Sequence, residues 1–140
     1  MSAVTRHEKR AGRPTRWQSV WEWVARPSHF KAVHTFRVAA QSGDDAQLGA
    51  LLDPEVAVVV EAGEEAHPTI KVVKGAYEAV ALLRHGMAAR PGLVVAERTV
   101  GSQAGLVLSR AGETTAAMTI DFTGRLISVV WIKLQPAPMA

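Results

Sequence analysis

A chain of 140 residues, 48% of them hydrophobic, is one domain's worth of material with ample supply for a core. It has no cysteine, which excludes disulfides, thiolate metal sites and cysteine nucleophiles. Its net charge of +3 is local: residues 1–16 hold five basic residues against Glu8, whereas residues 17–140 hold eleven basic against twelve acidic ones, so the body is near neutral. Nucleic acid is therefore not an expected partner, except through that basic tail. The N-terminal charges are not followed by an apolar segment of the secretory type, and no apolar run approaches the roughly 18 residues that span a bilayer. A cytoplasmic protein with no membrane partner is expected.

Residues 1–16 are polar, with Gly12 and Pro14, and read as a disordered tail. Residues 17–28 form a tryptophan-rich extension. Trp17, Val20, Trp21 and Val24 fall at i, i+3, i+4 and i+7, one stripe of a short amphipathic helix. Such a helix packs on its own domain or on a second subunit, or docks another protein. Its polar face lacks the lysines and arginines of a membrane-surface helix. Pro27 is expected to end it, and Ser28 to cap the next.

From His29 to Gln41, Phe30, Val33, Phe36 or Arg37, and Ala40 recur at helical spacing. Gly43 reads as the glycine beyond the helix end and Asp44-Asp45 as a new N-cap. A short helix over 46–52 points Leu48, Leu51 and Leu52 inward, and Asp53-Pro54-Glu55 reads as a turn. Val56 to Glu61 is nearly continuous β-branched sequence, a strand covered at least in part on both faces. Residues 62–71 read as a loop or irregular hairpin, with Val72-Val73 a short strand. The third core helix spans Gly75 to Ala89, with Ala76, Ala79 or Val80, Leu83 and Met87 on one face, and Arg90-Pro91-Gly92 ends it.

Four strands follow, over 93–100, 104–110, 114–121 and 125–134, cut by Gly101-Ser102-Gln103, Ala111-Gly112-Glu113 and Phe122-Thr123-Gly124. Such a meander has an apolar face to bury, and the helices upstream are its natural cover. The expected fold class is α+β: a cone-shaped, curved antiparallel sheet packed against about three helices. The domain is placed at 29–135, with a loose tail over 136–140.

The order of elements resembles a nuclear transport factor 2-like cone. Ser42-Gly43-Asp44 followed by Leu48 and Leu51-Leu52-Asp53-Pro54-Glu55-Val56 is similar to the SnoaL-like domain. Gly75-Ala76 with Ala79-Val80-Ala81, Ser102-Gln103-Ala104-Gly105-Leu106-Val107-Leu108, and Gly124-Arg125-Leu126 fit the same pattern. The likeness is strongest to the SnoaL-like domain at the carboxy end of extracytoplasmic-function sigma factors and covers residues 30–133. Two features depart from it. The acidic, glycine-rich motif of those domains is reduced here to Glu61-Ala62-Gly63-Glu64. The first 28 residues are too few for two promoter-binding regions, so a complete sigma factor is not expected. Shared scaffold does not imply shared activity.

The resemblance implies a pocket between the concave sheet and the helices, where enzymes of this type (ketosteroid isomerases, scytalone dehydratases, limonene epoxide hydrolases, polyketide cyclases) place an Asp, Glu or His. Apolar surroundings shift such a group toward the working pH. The catalytic candidates, if the chain is an enzyme, are Glu61 at a strand end, His67 in the loop that would close the pocket mouth, and Asp121 beside the last turn. Each also has an ordinary reading as a solvated strand-end, loop or turn residue. Expected pocket-lining residues are Phe36, Tyr77, Leu83, Arg98 and Trp131. Glu97 and Arg98 occupy opposite faces of one strand, so one of them points into the cup. Trp131 is a core or dimer-interface side chain or an aromatic wall.

No metal-ligand spacing, phosphate loop or cofactor motif is present, and no Ser-His-Asp set can be read. The expected role is a stand-alone SnoaL-like domain, forming a homodimer, that binds an apolar small molecule or a protein partner in a regulatory capacity. The alternative is an isomerase, cyclase, dehydratase or epoxide hydrolase with a pocket carboxylate as general acid or base.

Overall fold

Among the described residues strand residues outnumber helical ones, and every strand joins a single sheet. The structure is a computed structural model that describes residues 16–63 and 66–135, the stretch 16–28 as backbone alone. Of the tail expected over 1–16 only Arg16 is described, and it opens the first helix; residues 1–15, the tail at 136–140 and the side chains of the tryptophan stripe lie outside what is described. The elements run α1 (Arg16–Ser42), α2 (Asp45–Leu51), β1 (Leu52–Ala62), β2 (Thr69–Lys74), α3 (Ala76–Met87), β3 (Leu93–Val100), β4 (Gln103–Arg110), β5 (Glu113–Thr123) and β6 (Leu126–Leu134).

The first helix differs from expectation. It continues through Pro27 as one helix of 27 residues. Proline removes one i→i−4 hydrogen bond and crowds the preceding turn, but helical sequence on both sides can carry the axis across that gap. Its end is as expected: Gly43 takes φ +78°, and the Asp44 N–H bonds back to the Ala39 carbonyl. Asp44 then caps α2, its carboxylate accepting from the Gln47 N–H at 3.0 Å. The Asp53-Pro54-Glu55 turn is instead an irregular stretch inside β1, whose register shifts between Leu52 and Ala57.

Sheet order is β2-β1-β6-β5-β4-β3. The meander pairs antiparallel as expected, but β1 lies parallel to β6. The sheet is thus curved, unclosed and mixed rather than wholly antiparallel. The parallel pair follows from connectivity: between β1 and β6 the chain crosses over through α3 and the meander. The register shifts opposite Leu108/Ser109 and Asp121/Phe122, where Thr115 of β5 and Ser128 of β6 are the extra residues, and such bulges sharpen the bend of β5 and β6. Two-residue turns close the meander. Gly101 and Ser102 both have positive φ, as do Ala111 and Gly112, the geometry that matches strand twist.

Alternation divides the sheet into two faces. The inner face carries Val95, Leu106, Leu108, Met118, Ile120, Ile127, Val130, Val56 and Val58, all buried. Over it pack Val33, Phe36 and Ala40 from α1, Leu48 from α2, and Ala79, Leu83 and Met87 from α3. The spacing of the α3 trio is i, i+4, i+8, one helix stripe. Each fully buried Leu, Met or Phe contributes about 2 kcal/mol by leaving water. The ends of the two long helices are joined by the Ala89 N–H, which bonds to the Gln41 carbonyl at 3.2 Å.

Candidate functional site

Strand parity decides where each candidate side chain goes. Glu97 pairs in register with Leu106, so it shares the inner face with the core. Arg98 pairs with Gly105 and points to the outer face, where it is exposed. Arg98 therefore does not line the hollow, because Val95 and Leu93 claim the inner side of β3 and carry Glu97 with them. Trp131, in register with Thr119 and Val59, is likewise on the outer face and 46% exposed.

The three catalytic candidates are not brought together. Glu61 pairs with Lys133 and Ile70, which places it on the outer face, half-buried. Asp121 pairs with Val129 on that same face and accepts a hydrogen bond from the Gln103 amide. His67 is exposed in the β1–β2 loop. Phe36 and Leu83 are completely buried, so at their level the hollow is filled by the protein's own side chains. Tyr77 is 90% exposed on the first turn of α3, away from the sheet. It forms one lip of an open groove of about 430 Å³ between α2 and α3, floored by Ala46, Gly49, Ala76, Val80 and Ala81. Asp45 and Arg84 also line this groove and pair at 3.4 Å.

A polar cluster that the sequence reading passed over sits where α1 crosses β3. The Arg37 Nε–H donates to Glu97 Oε2 at 2.6 Å, and His34 Nδ1 donates to the same oxygen at 2.7 Å. Arg37 Nη1 also donates to Gln41 Oε1 at 2.8 Å. Burial raises the Glu97 pKa. The hydrogen bonds from Arg37 and His34, with their charges, outweigh it and hold the carboxyl below its ordinary value of 4.5. His34 and Arg37 stand three residues apart on one face of α1; that spacing opposite an inward acid was the available signal. The cluster ties helix to strand. Among the described residues, no group of three or more His, Cys, Asp or Glu could hold a metal ion.

The outer face is the larger feature. One register row crosses all six strands: Arg98, Gly105, Thr119, Trp131, Val59 and Val72. Beside it lie Ala96, Val107, Ala117, Lys133, Glu61 and Ile70. Ile70, Val72 and Val94 are each more than half exposed. Trp131, Ile70 and Val72 expose apolar surface on the β2 side of this face, Val59 between them is nearly buried, and Arg98, Lys133 and Glu61 stand in the same two rows. Exposed large apolar side chains set among charged ones are the composition of many association surfaces.

No protein-family model matches the chain, and no curated protein matches it by sequence. Solved structures do match in fold. A candidate ketosteroid isomerase from Kribbella flavida superposes with a TM-score of 0.57 at 15% identity, over 83% of this chain and 84% of that one. An NTF-2 like protein from Burkholderia xenovorans gives 0.54 at 14% identity, over 83% and 90%. The extracytoplasmic function sigma factor SigJ of Mycobacterium tuberculosis gives 0.57 at 17% identity, covering 84% of this chain but 46% of its own. Identities this low speak for the fold alone, and the fold is NTF2-like. No described helix is long and apolar enough to cross a membrane.

Proposed function

We propose that this chain is a regulatory binding module that associates through the outer face of its sheet, first with a second copy of itself. The observation that carries this reading is the apolar row centred on Trp131. A half-exposed Trp131, with Val72 and Ile70 exposed two strands away on the same face, presents apolar surface that a self-complementary contact would remove from water. The fold-level likeness to a sigma factor that includes such a unit supports a role in protein association. The placement of Glu61 and Asp121 on the outer face, with Phe36 and Leu83 filling the inner side, gives less support to a carboxylate working in an apolar hollow.

Sedimentation tests it. The wild-type chain is expected to run as a dimer at micromolar concentration and Trp131→Glu as a folded monomer. A monomeric wild type overturns the proposal. Exposure of Trp131 makes this substitution tolerable to the fold.

A second reading concerns the apolar small molecule. The groove between α2 and α3 has the size of a small-ligand site, with an aromatic lip and one ion pair. Titration with apolar metabolites should shift the Tyr77 ring resonances if the groove is used. Binding that leaves Tyr77 unmoved removes this reading.

A further inference from the structure

The sheet ends on one side in β2, sequence Thr69-Ile70-Lys71-Val72-Val73-Lys74, and five of those six residues are exposed. Its pairing with β1 can be resolved residue by residue. The Gly75 N–H bonds to the Val56 carbonyl at 2.8 Å, extending the ladder in which Ala57 pairs with Lys74. In an antiparallel pair, hydrogen-bonded and non-hydrogen-bonded positions alternate. The amides of Thr69, Lys71 and Val73 therefore face β1, and those of Ile70, Val72 and Lys74 face outward. Among the described residues nothing pairs with that outer edge.

We propose that the free edge of β2 is a strand-addition site for an extended acidic segment of a partner protein. Its outward N–H and C=O groups on Ile70, Val72 and Lys74 would form the ladder, and Lys71 and Lys74 would select the acidic residues. This rests on reading the chain as a binding module, though not on dimerisation through the outer face.

The occupant follows from chemistry. Alternating donors and acceptors at strand spacing match an extended polypeptide backbone. Two lysines and no carboxylate on β2 call for acidic side chains. Ile70 and Val72 lie on the outer face and Lys71 on the inner. Lys74 shares the outer face with Ile70 and Val72, so the incoming strand would place apolar residues against Ile70 and Val72, one acid against Lys71 on the inner face and another against Lys74 on the outer. A second copy of β2 fits less well. Pairing about Val72 brings Lys71 and Lys74 of both copies to one seam with no acid on either strand. Lysines on an edge discourage indiscriminate pairing; here the same charges favour one class of strand.

The test uses the full chain, nitrogen-15 labelled, and a synthetic acetylated peptide of valine and glutamate, with valines spaced to oppose Ile70 and Val72 and glutamates spaced to oppose Lys71 and Lys74. Saturable binding is expected, weakened by salt, with slowed amide exchange at Ile70 and Val72 and little change at Thr69, Lys71 and Val73, already bonded to β1. The double variant K71E/K74E should bind about tenfold more weakly, the worth of two partly exposed ion pairs. Val72→Pro should abolish binding yet keep the fold, because its N–H points away from β1. Unchanged exchange at Ile70 and Val72 overturns the proposal. So does equal binding of a lysine-for-glutamate peptide, or protection that appears with chain concentration alone. If the peptide fails while Trp131→Glu still splits the dimer, the edge site falls and the module reading stands.

Discussion

Glu97 illustrates how one residue's environment becomes a pH dependence. Its folded pKa is depressed below its ordinary value, so the stability it contributes is present above the ordinary carboxylate range. That contribution is lost as the pH falls through the folded value. Glu97→Gln should cost about 1 kcal/mol at neutral pH, the range for partly exposed charged hydrogen bonds, and should flatten the acid side of the stability profile. Urea melts between neutral and acid pH check both. Gly105 is constrained differently. A Cβ there would collide with the Met118 carbonyl oxygen and press on Val100, 3.1 Å from its Cγ2. The oxygen cannot retreat without opening the β4–β5 ladder, so Gly105→Ala should lose about 2 kcal/mol or more in a thermal or denaturant melt. Neither role was legible beforehand. Glycine 105 stands in a strand with no turn to explain it, and Glu97 looked no different from Arg98.

At the scale of elements, local chemistry was readable wherever one residue sets its own neighbourhood. Asp44 capping α2 and Gly43 ending α1 depend on residues within five positions, and both are found as read. Asp44→Ala should cost about 1 kcal/mol by removing the bond to the Gln47 N–H, visible as a lower unfolding midpoint. Residues 93–134 were read as four strands with three turns because paired turn residues punctuate the β-branched runs. The helix through Pro27 was not readable. Proline marks a local penalty of about 3 kcal/mol, and whether a helix absorbs it depends on what surrounds both halves. The Asp53-Pro54-Glu55 stretch belongs to the same class: turn-forming residues recruited as a strand irregularity because β1 pairs with β6 before and after it, at Leu52 and Ala57.

The whole molecule settles which surfaces are available to partners. Among the described residues three helices cover the inner face and none covers the outer one, and the Trp131→Glu sedimentation experiment addresses that face directly. From the sequence alone came the α+β class, the order of elements, the core stripes through Phe36, Leu48, Leu83 and Met87, and the neutrality of the body. These depend on periodicity and composition, which are local sums over neighbouring residues. Only the tertiary structure decided that β1 lies parallel to β6, that Glu97 rather than Arg98 faces the helices, and that Trp131 and Glu61 look outward. Strand alternation offers two equivalent faces. Which one is inner depends on pairing between residues far apart in the chain, and no local pattern contains that pairing.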